Sequence, residues 1–251
     1  MQEVIKHLKE SIKLNPEFAD AHYELALLLD KNNDYKDAKK HYLRSIELNK
    51  DFDHAYFNLA NMLKRKKSYK ESKKHYLTAL EINPDFARCH YEFGLMLAAT
   101  GEMEDAKSHF EKCTDIDQNF ADGYYQLAYI LTDPEEYDKA KKNYITAIDI
   151  DKDHILAHYY LGKLTSKGFR LDKDGSRVEK PETELAQKSF MRAISIDGKF
   201  DKAHYNLALI YKKNGDHDLS KKHFETALEI NPKHFKAHYH FALLLKESGD
   251  G

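Results

Sequence analysis

The chain has 251 residues, of which 40 are basic and 42 acidic, so its formal net charge is −2. This balance argues against a general binder of polyanions, and we expect no nucleic-acid partner. Ten glycines and five prolines are few for this length, which favours long helices over a fold of strands and turns.

Cysteine usage and hydropathy indicate the environment of the chain. Cys89 and Cys113 are isolated and lack metal-ligand spacing, so a reducing compartment is favoured. No segment approaches the roughly 18 apolar residues of a membrane span, and the amphipathic N-terminus lacks the apolar core of a signal peptide. We therefore expect an intracellular, cytoplasmic chain without membrane insertion.

The sequence is built on a 34-residue period. For example, the segment KKHYLTALEINPDFARCHYEFGLML at 73–97 recurs in similar form as KKHFETALEINPKHFKAHYHFALLL at 221–245. In chain order, residues 1–18 match only the second half of a unit and predict an orphan second helix. Six full units follow at 19–52, 53–86, 87–120, 121–154, 155–200 (with a 12-residue insertion) and 201–234. Residues 235–251 predict an orphan first helix, so we expect a single array over 1–251.

Apolar columns within each unit predict a helical hairpin. We number positions from the first residue of each repeat, so that Ala19 and Asp53 are at position 1. Positions 7, 8 and 11 follow helical spacing and mark a first helix, whereas positions 20, 24 and 27 mark a second. Small residues at positions 8, 20 and 27 let the two helices approach closely, and large residues fill the space beside them. The large residues at position 24 are Tyr42, Tyr76, Phe110, Tyr144, Phe190 and Phe224.

At these columns the sequence resembles the tetratricopeptide repeat family, a 34-residue helix–turn–helix unit. One departure is consistent, since histidine or tyrosine replaces the family's common tryptophan at position 4. The resemblance implies an all-α solenoid of hairpins that forms a right-handed superhelix, with the first helices lining its concave side. It also implies a protein-interaction scaffold.

Position 5, which in this family commonly points into the concave groove, is aromatic in every unit. Two interpretations stay open: the rings pack between first helices, or they form a ladder of anchors for a ligand. The column contains Tyr23, Phe57, Tyr91, Tyr125, Tyr159, Tyr205 and Tyr239.

Polar residues flank this column and complete the candidate groove. They are mixed in charge in the first four repeats and basic in the last three. Two interpretations stay open: the lysines form a solvated face, or they suit a peptide ligand with acidic residues. These candidates are Asn58, Asn61, Arg88, Lys163, Lys202, Asn206, Lys212 and Lys236.

Nothing in the sequence indicates catalysis, a metal site or a cofactor. The fifteen histidines recur because the unit recurs, although they could make stability or binding sensitive to pH near 6.5. The DKDG stretch at 172–175 lacks the rest of a calcium loop and is interpreted as a solvated turn.

We therefore predict a non-catalytic scaffold that binds a peptide or helix along the groove, with two alternatives. The array could be the targeting module of a larger enzyme, because the ends match interior repeats and suggest a piece of a longer array. It could also assemble head to tail through 1–18 and 235–251, which are complementary halves of one hairpin.

Overall fold

The computed structural model describes residues 2–171, 177–179 and 181–248. Within these residues it contains fourteen α-helices and a single two-stranded β-hairpin. The chain divides into two compact units, which we call unit 1 (residues 1–118) and unit 2 (residues 119–251). The DKDG stretch at 172–175 lies outside the described residues.

Unit 1 is entirely helical where it is described. Its helices are α1 (Gln2–Leu14), α2 (Ala19–Lys31), α3 (Tyr35–Leu48), α4 (Asp53–Arg65), α5 (Tyr69–Ile82), α6 (Ala87–Thr100) and α7 (Met103–Ile116). Helix α1 packs on α2, and the pairs α2–α3, α4–α5 and α6–α7 form hairpins.

Unit 2 repeats this plan with a β-hairpin added in the insertion. Its helices are α8 (Ala121–Ile130), α9 (Tyr137–Ile150), α10 (Ile155–Lys167), α11 (Thr183–Ile196), α12 (Asp201–Lys213), α13 (His217–Ile230) and α14 (Phe235–Ser248). Strands β1 (Phe169–Leu171) and β2 (Arg177–Glu179) pair antiparallel, with Arg170 opposite Val178. The sequence did not predict these strands, since the insertion lies outside the repeat period.

The helices follow the frame of the predicted repeat. Each first helix begins at the first residue of its repeat. The predicted all-α fold of helical hairpins is confirmed. A side-chain bond closes two of the units: Asn83 donates to Asp53 at 2.8 Å, and Asn231 donates to Asp201 at 2.7 Å. The carboxylates at the start of α4 and α12 thus hold the turns that follow α5 and α13.

The core of each hairpin lies between position 8 of the first helix and the aromatic ring at position 24. All six of these rings are buried. A Cβ added to Gly94 would lie 2.8 Å from the Phe110 ring, and one added to Gly162 would lie 2.8 Å from the Phe190 ring. The small residues at position 8 are therefore required by close approach of the two helices.

Histidines at positions 4 and 23 pair ring to ring in three hairpins. The facing Nδ1 atoms are 2.9 Å apart in His22–His41, 2.8 Å in His90–His109 and 3.0 Å in His204–His223. In each pair the position-4 ring also places Nε2 on a backbone carbonyl, which only accepts. That ring therefore donates from Nε2 and accepts at Nδ1, and the position-23 ring donates.

Helix α8 is shorter than the other first helices, with 10 residues against 13 or 14. Pro134 is the cause, because proline lacks an N–H and biases the residue before it towards extended backbone. Asp133 has φ −72° and ψ 141°, and Pro134–Glu136 form a short 3-10 turn before α9. Leu131, which the repeat placed in the first helix, lies beyond its end but stays buried.

Candidate functional site

Within each unit, the first helices of successive repeats contact one another. In unit 1 the contacts are α2 with α4 and α4 with α6, and in unit 2 they are α8 with α10, α10 with α12, and α12 with α14. We call the surface formed by these helices the first-helix face of that unit. The predicted binding residues lie on these helices.

The aromatic column at position 5 largely packs within its own repeat, against the aromatic ring at the last position of that repeat. Tyr23 lies 4.7 Å from Phe52 between ring centroids, and Phe57 lies 4.8 Å from Phe86. The same arrangement recurs in unit 2, where Tyr159 lies 4.9 Å from Phe200. Phe57, Tyr91, Tyr125 and Tyr159 are 6–9% exposed, Tyr23 and Tyr205 are half-buried, and Tyr239 is 62% exposed.

Two asparagines at position 6 tie neighbouring repeats together. Asn58 donates to the Tyr23 hydroxyl at 2.8 Å and to the His54 carbonyl at 3.0 Å. Asn206 likewise bonds Tyr159 and the Lys202 carbonyl. The third predicted asparagine, Asn61, accepts from the buried Tyr76 hydroxyl at 2.5 Å. All three asparagines therefore have internal partners, and ligand binding by them stays a prediction.

Three basic residues on the first helices of unit 1 form ion pairs with carboxylates of the same face. Arg65 donates to Asp30 at 2.5 Å, and Arg88 donates to Glu92 at 3.0 Å. Lys64 also pairs with Glu92. These pairs neutralise part of the charge of this face, whereas the exposed Asp20 and Glu24 form no ion pair among the described residues.

The lysines of unit 2 form a different arrangement. Lys212 pairs with Glu247 at 3.0 Å, but within the described part of this unit no carboxylate forms an ion pair with Lys163, Lys202 or Lys236. Burial, followed by the positive charges of Lys167, Lys202 and Lys236, lowers the pKa of Lys163. We call these four residues, Lys163 and the three lysines that act on it, the lysine cluster.

Tyrosines border the lysine cluster. Lys163 Nζ lies 5.1 Å from the ring centroid of Tyr160 and 5.8 Å from that of Tyr159, within range of cation–π attraction. Tyr129 is 50% exposed and meets Tyr160 edge to face at 4.9 Å.

Sequence reasoning missed Tyr129, Tyr160 and Lys167 as site residues. The sequence does contain a signal for Tyr160. Position 6 is polar in all the other repeats, and only in the fifth repeat is it a tyrosine.

The described residues contain no group of three or more His, Cys, Asp and Glu side chains that could hold a metal ion. Among the same residues, no helix combines the length and the apolar character needed to cross a bilayer.

Family models of the tetratricopeptide repeat match residues 7–40, 53–86, 87–120, 121–154 and 201–234. The chain belongs to the tetratricopeptide repeat family, as its columns predicted. No curated protein sequence matches it. Membership of this family, whose chains are typically non-catalytic, supports a protein-interaction scaffold.

Solved structures share the fold. YrrB is 22% identical with a TM-score of 0.64, over 79% of this chain and 96% of that one. MamA is 23% identical with a TM-score of 0.59, over 73% and 94%. The pilF protein of Pseudomonas aeruginosa is 15% identical with a TM-score of 0.71, over 89% and 96%. At these identities the likeness shows the fold alone.

Proposed function

We propose that the first-helix face of unit 2 binds an extended peptide segment of a partner protein, and that acidic residues of the segment contact the lysine cluster. The lack of ion pairs at Lys163, Lys202 and Lys236 among the described residues, with Lys163 beside the rings of Tyr159 and Tyr160, carries this proposal. Charged groups that lack a partner within the molecule favour a ligand of opposite charge and speed its association. Tyrosine adds rigid apolar area at low entropic cost.

The comparisons support recognition of a peptide. YrrB, which shares the fold, is described as a tetratricopeptide protein with an unusual peptide-binding site. Three of the predicted groove residues of unit 2, Lys163, Lys202 and Lys236, belong to the lysine cluster, whereas Asn206 and Lys212 of the same unit have internal partners. If the chain is the targeting module of a larger enzyme, the same face would bind that enzyme's substrate.

A charge-reversal experiment tests the proposal. A fluorescent 12-residue peptide rich in Asp and Glu is titrated with the wild type and with a Lys163→Glu/Lys202→Glu variant. We expect binding that weakens with salt and at least about tenfold lower affinity for the variant, because two attractive contacts become repulsive. The control variant, Lys142→Glu/Lys233→Glu, makes the same charge change away from the first helices. Equal affinity for all three proteins would refute the proposal.

Head-to-tail self-association is a second candidate, favoured by apolar side chains exposed on the terminal helices. Helix α1 exposes Val4 and Leu14, and α14 exposes Phe235 and Tyr239. Light scattering over rising concentration is expected to show growing assemblies, and Phe235→Asp is expected to reduce them. Leu77→Asp, which changes an exposed leucine elsewhere, serves as the control. A strict monomer at high concentration would exclude this candidate.

A further inference from the structure

A cavity in unit 2 opens where α8 stops short. Its volume is about 280 Å³, and its lining includes Tyr129, Tyr144, Tyr160, Leu164, Lys163 and Lys167. The backbone after Ile130 is extended instead of continuing the helix, so the turn that would occupy this space is missing. The cavity is thus a consequence of Pro134.

Four tyrosines, among them Tyr129, Tyr144 and Tyr160, line the cavity together with Leu164 and the exposed Asp133. Tyr160 stacks on the buried Tyr144 at 6.5 Å and 11°, and Tyr129 meets its edge at 4.9 Å. Aromatic rings that offer both faces and edges favour a further ring in offset or edge-to-face contact. An engineered apolar cavity of about 150 Å³ already accommodates benzene, so this volume suffices for one aromatic side chain.

The cavity meets the lysine cluster at its mouth. Lys163 belongs to both, and it keeps its ammonium group over the Tyr160 ring. The exposed Lys167 adds a second cation at the lining. A peptide that places an aromatic ring in the cavity can therefore bring the carboxylate of an Asp or Glu, one or two residues away along its chain, to the lysines at the mouth.

We propose that this cavity is an anchor site for a single aromatic side chain of the bound peptide, with an Asp or Glu next to that side chain contacting Lys163. This inference rests on the proposed function and adds its specificity: the partner segment is defined by an aromatic residue beside an acidic one. The acidic residue gives orientation and the aromatic residue gives most of the affinity, as buried aromatic anchors do in other interfaces.

Selection from a library of random 12-residue peptides tests the inference. The baits are the wild type, a Tyr160→Asn variant, a Tyr129→Asn variant and the Lys163→Glu/Lys202→Glu variant. Asparagine occupies the corresponding positions in the second repeat as Asn58 and Asn61, so both tyrosine variants are expected to fold. Circular dichroism confirms the helical content of each bait.

We expect peptides selected on the wild type to carry an aromatic residue within two positions of Asp or Glu. The tyrosine variants should lose the aromatic preference and keep the acidic one. For a selected peptide, replacing its aromatic residue by alanine should weaken binding to the wild type about tenfold or more, and to Tyr160→Asn less than about twofold.

The outcomes separate the two proposals. Acidic peptides without an aromatic preference on the wild type, or an unchanged aromatic preference on both tyrosine variants, would overturn the anchor site and leave the peptide-binding face intact. An absence of acidic peptides from the wild-type selection would overturn both.

Discussion

Single residues within one column of the repeat meet different surroundings, and Tyr42 and Tyr76 show the consequence. Both are fully buried at position 24. The Tyr76 hydroxyl donates to Asn61, whereas the Tyr42 hydroxyl has no hydrogen-bond partner among the described residues. Position 9 of the first repeat is Leu27, which offers no acceptor.

We therefore expect opposite effects from the same substitution at these two sites. Tyr42→Phe should raise the free energy of unfolding by about 1 kcal/mol, because it removes a buried hydroxyl without a partner. Tyr76→Phe should lower it by about 1 kcal/mol, because it leaves the Asn61 side chain unsatisfied. Urea unfolding followed by circular dichroism measures both. Equal destabilisation by the two variants would contradict this account.

At the scale of paired helices, the three histidine pairs link stability to pH. Burial, followed in the position-23 rings by the partner histidine, lowers the pKa values of His41, His109 and His223. The pKa is lowered to about 4 in His109 and His223. Other charged groups that act on the pairs are Lys9, Asp37, Lys40, Arg44, Lys73, Asp85, Asp105, Lys112, Asp201 and Lys222.

The direction of the pH effect follows from these lowered pKa values. Below about pH 6.5 the histidines of the unfolded chain take up protons that the folded chain does not accept. The contribution of the neutral histidine pairs to the free energy of unfolding is therefore fully present above about pH 7. It is lost as the pH falls from about 6.5 towards 4. Protonation of the position-4 ring at Nδ1 would also place two Nδ1–H groups face to face, where neither can accept a hydrogen bond.

We expect the melting temperature of a His41→Asn/His109→Asn/His223→Asn variant to fall less than that of the wild type when the pH is lowered from 7.5 to 5. Asparagine is compatible with this column, since Asn143 occupies position 23 in the fourth repeat. Thermal unfolding at the two pH values measures the difference. Parallel losses in the two proteins would show that the histidine pairs do not cause the pH dependence.

Sequence periodicity predicted the helices well, because the columns at positions 8 and 24 record the close approach that each hairpin needs. The lysine cluster was predicted in part, since Lys163, Lys202 and Lys236 are visible as basic residues at flanking positions. Their lack of carboxylate partners was not predictable, because ion pairing depends on contacts between repeats. The cavity was missed because it requires Pro134 to shorten α8 and Tyr160 to lie beside the gap.

For the molecule as a whole, the two units differ in the charged residues of their first helices although they share one repeat. In unit 1 Lys64, Arg65 and Arg88 of the first helices form ion pairs with Asp30 and Glu92. In unit 2 Lys163, Lys202 and Lys236 form no ion pair among the described residues, and Lys163 lies beside the tyrosine-lined cavity. We therefore propose that partner recognition belongs to the first-helix face of unit 2.

Amide chemical-shift mapping by NMR locates the binding surface, using an isotope-labelled chain titrated with a peptide from the library selection. We expect the shifted resonances to cluster on α8, α10 and α12, around Tyr160, Lys163 and Lys202. Resonances of α9, α11, α13 and unit 1 should stay largely unchanged. Shifts concentrated on those second helices or on unit 1 would contradict the account and place the binding surface elsewhere.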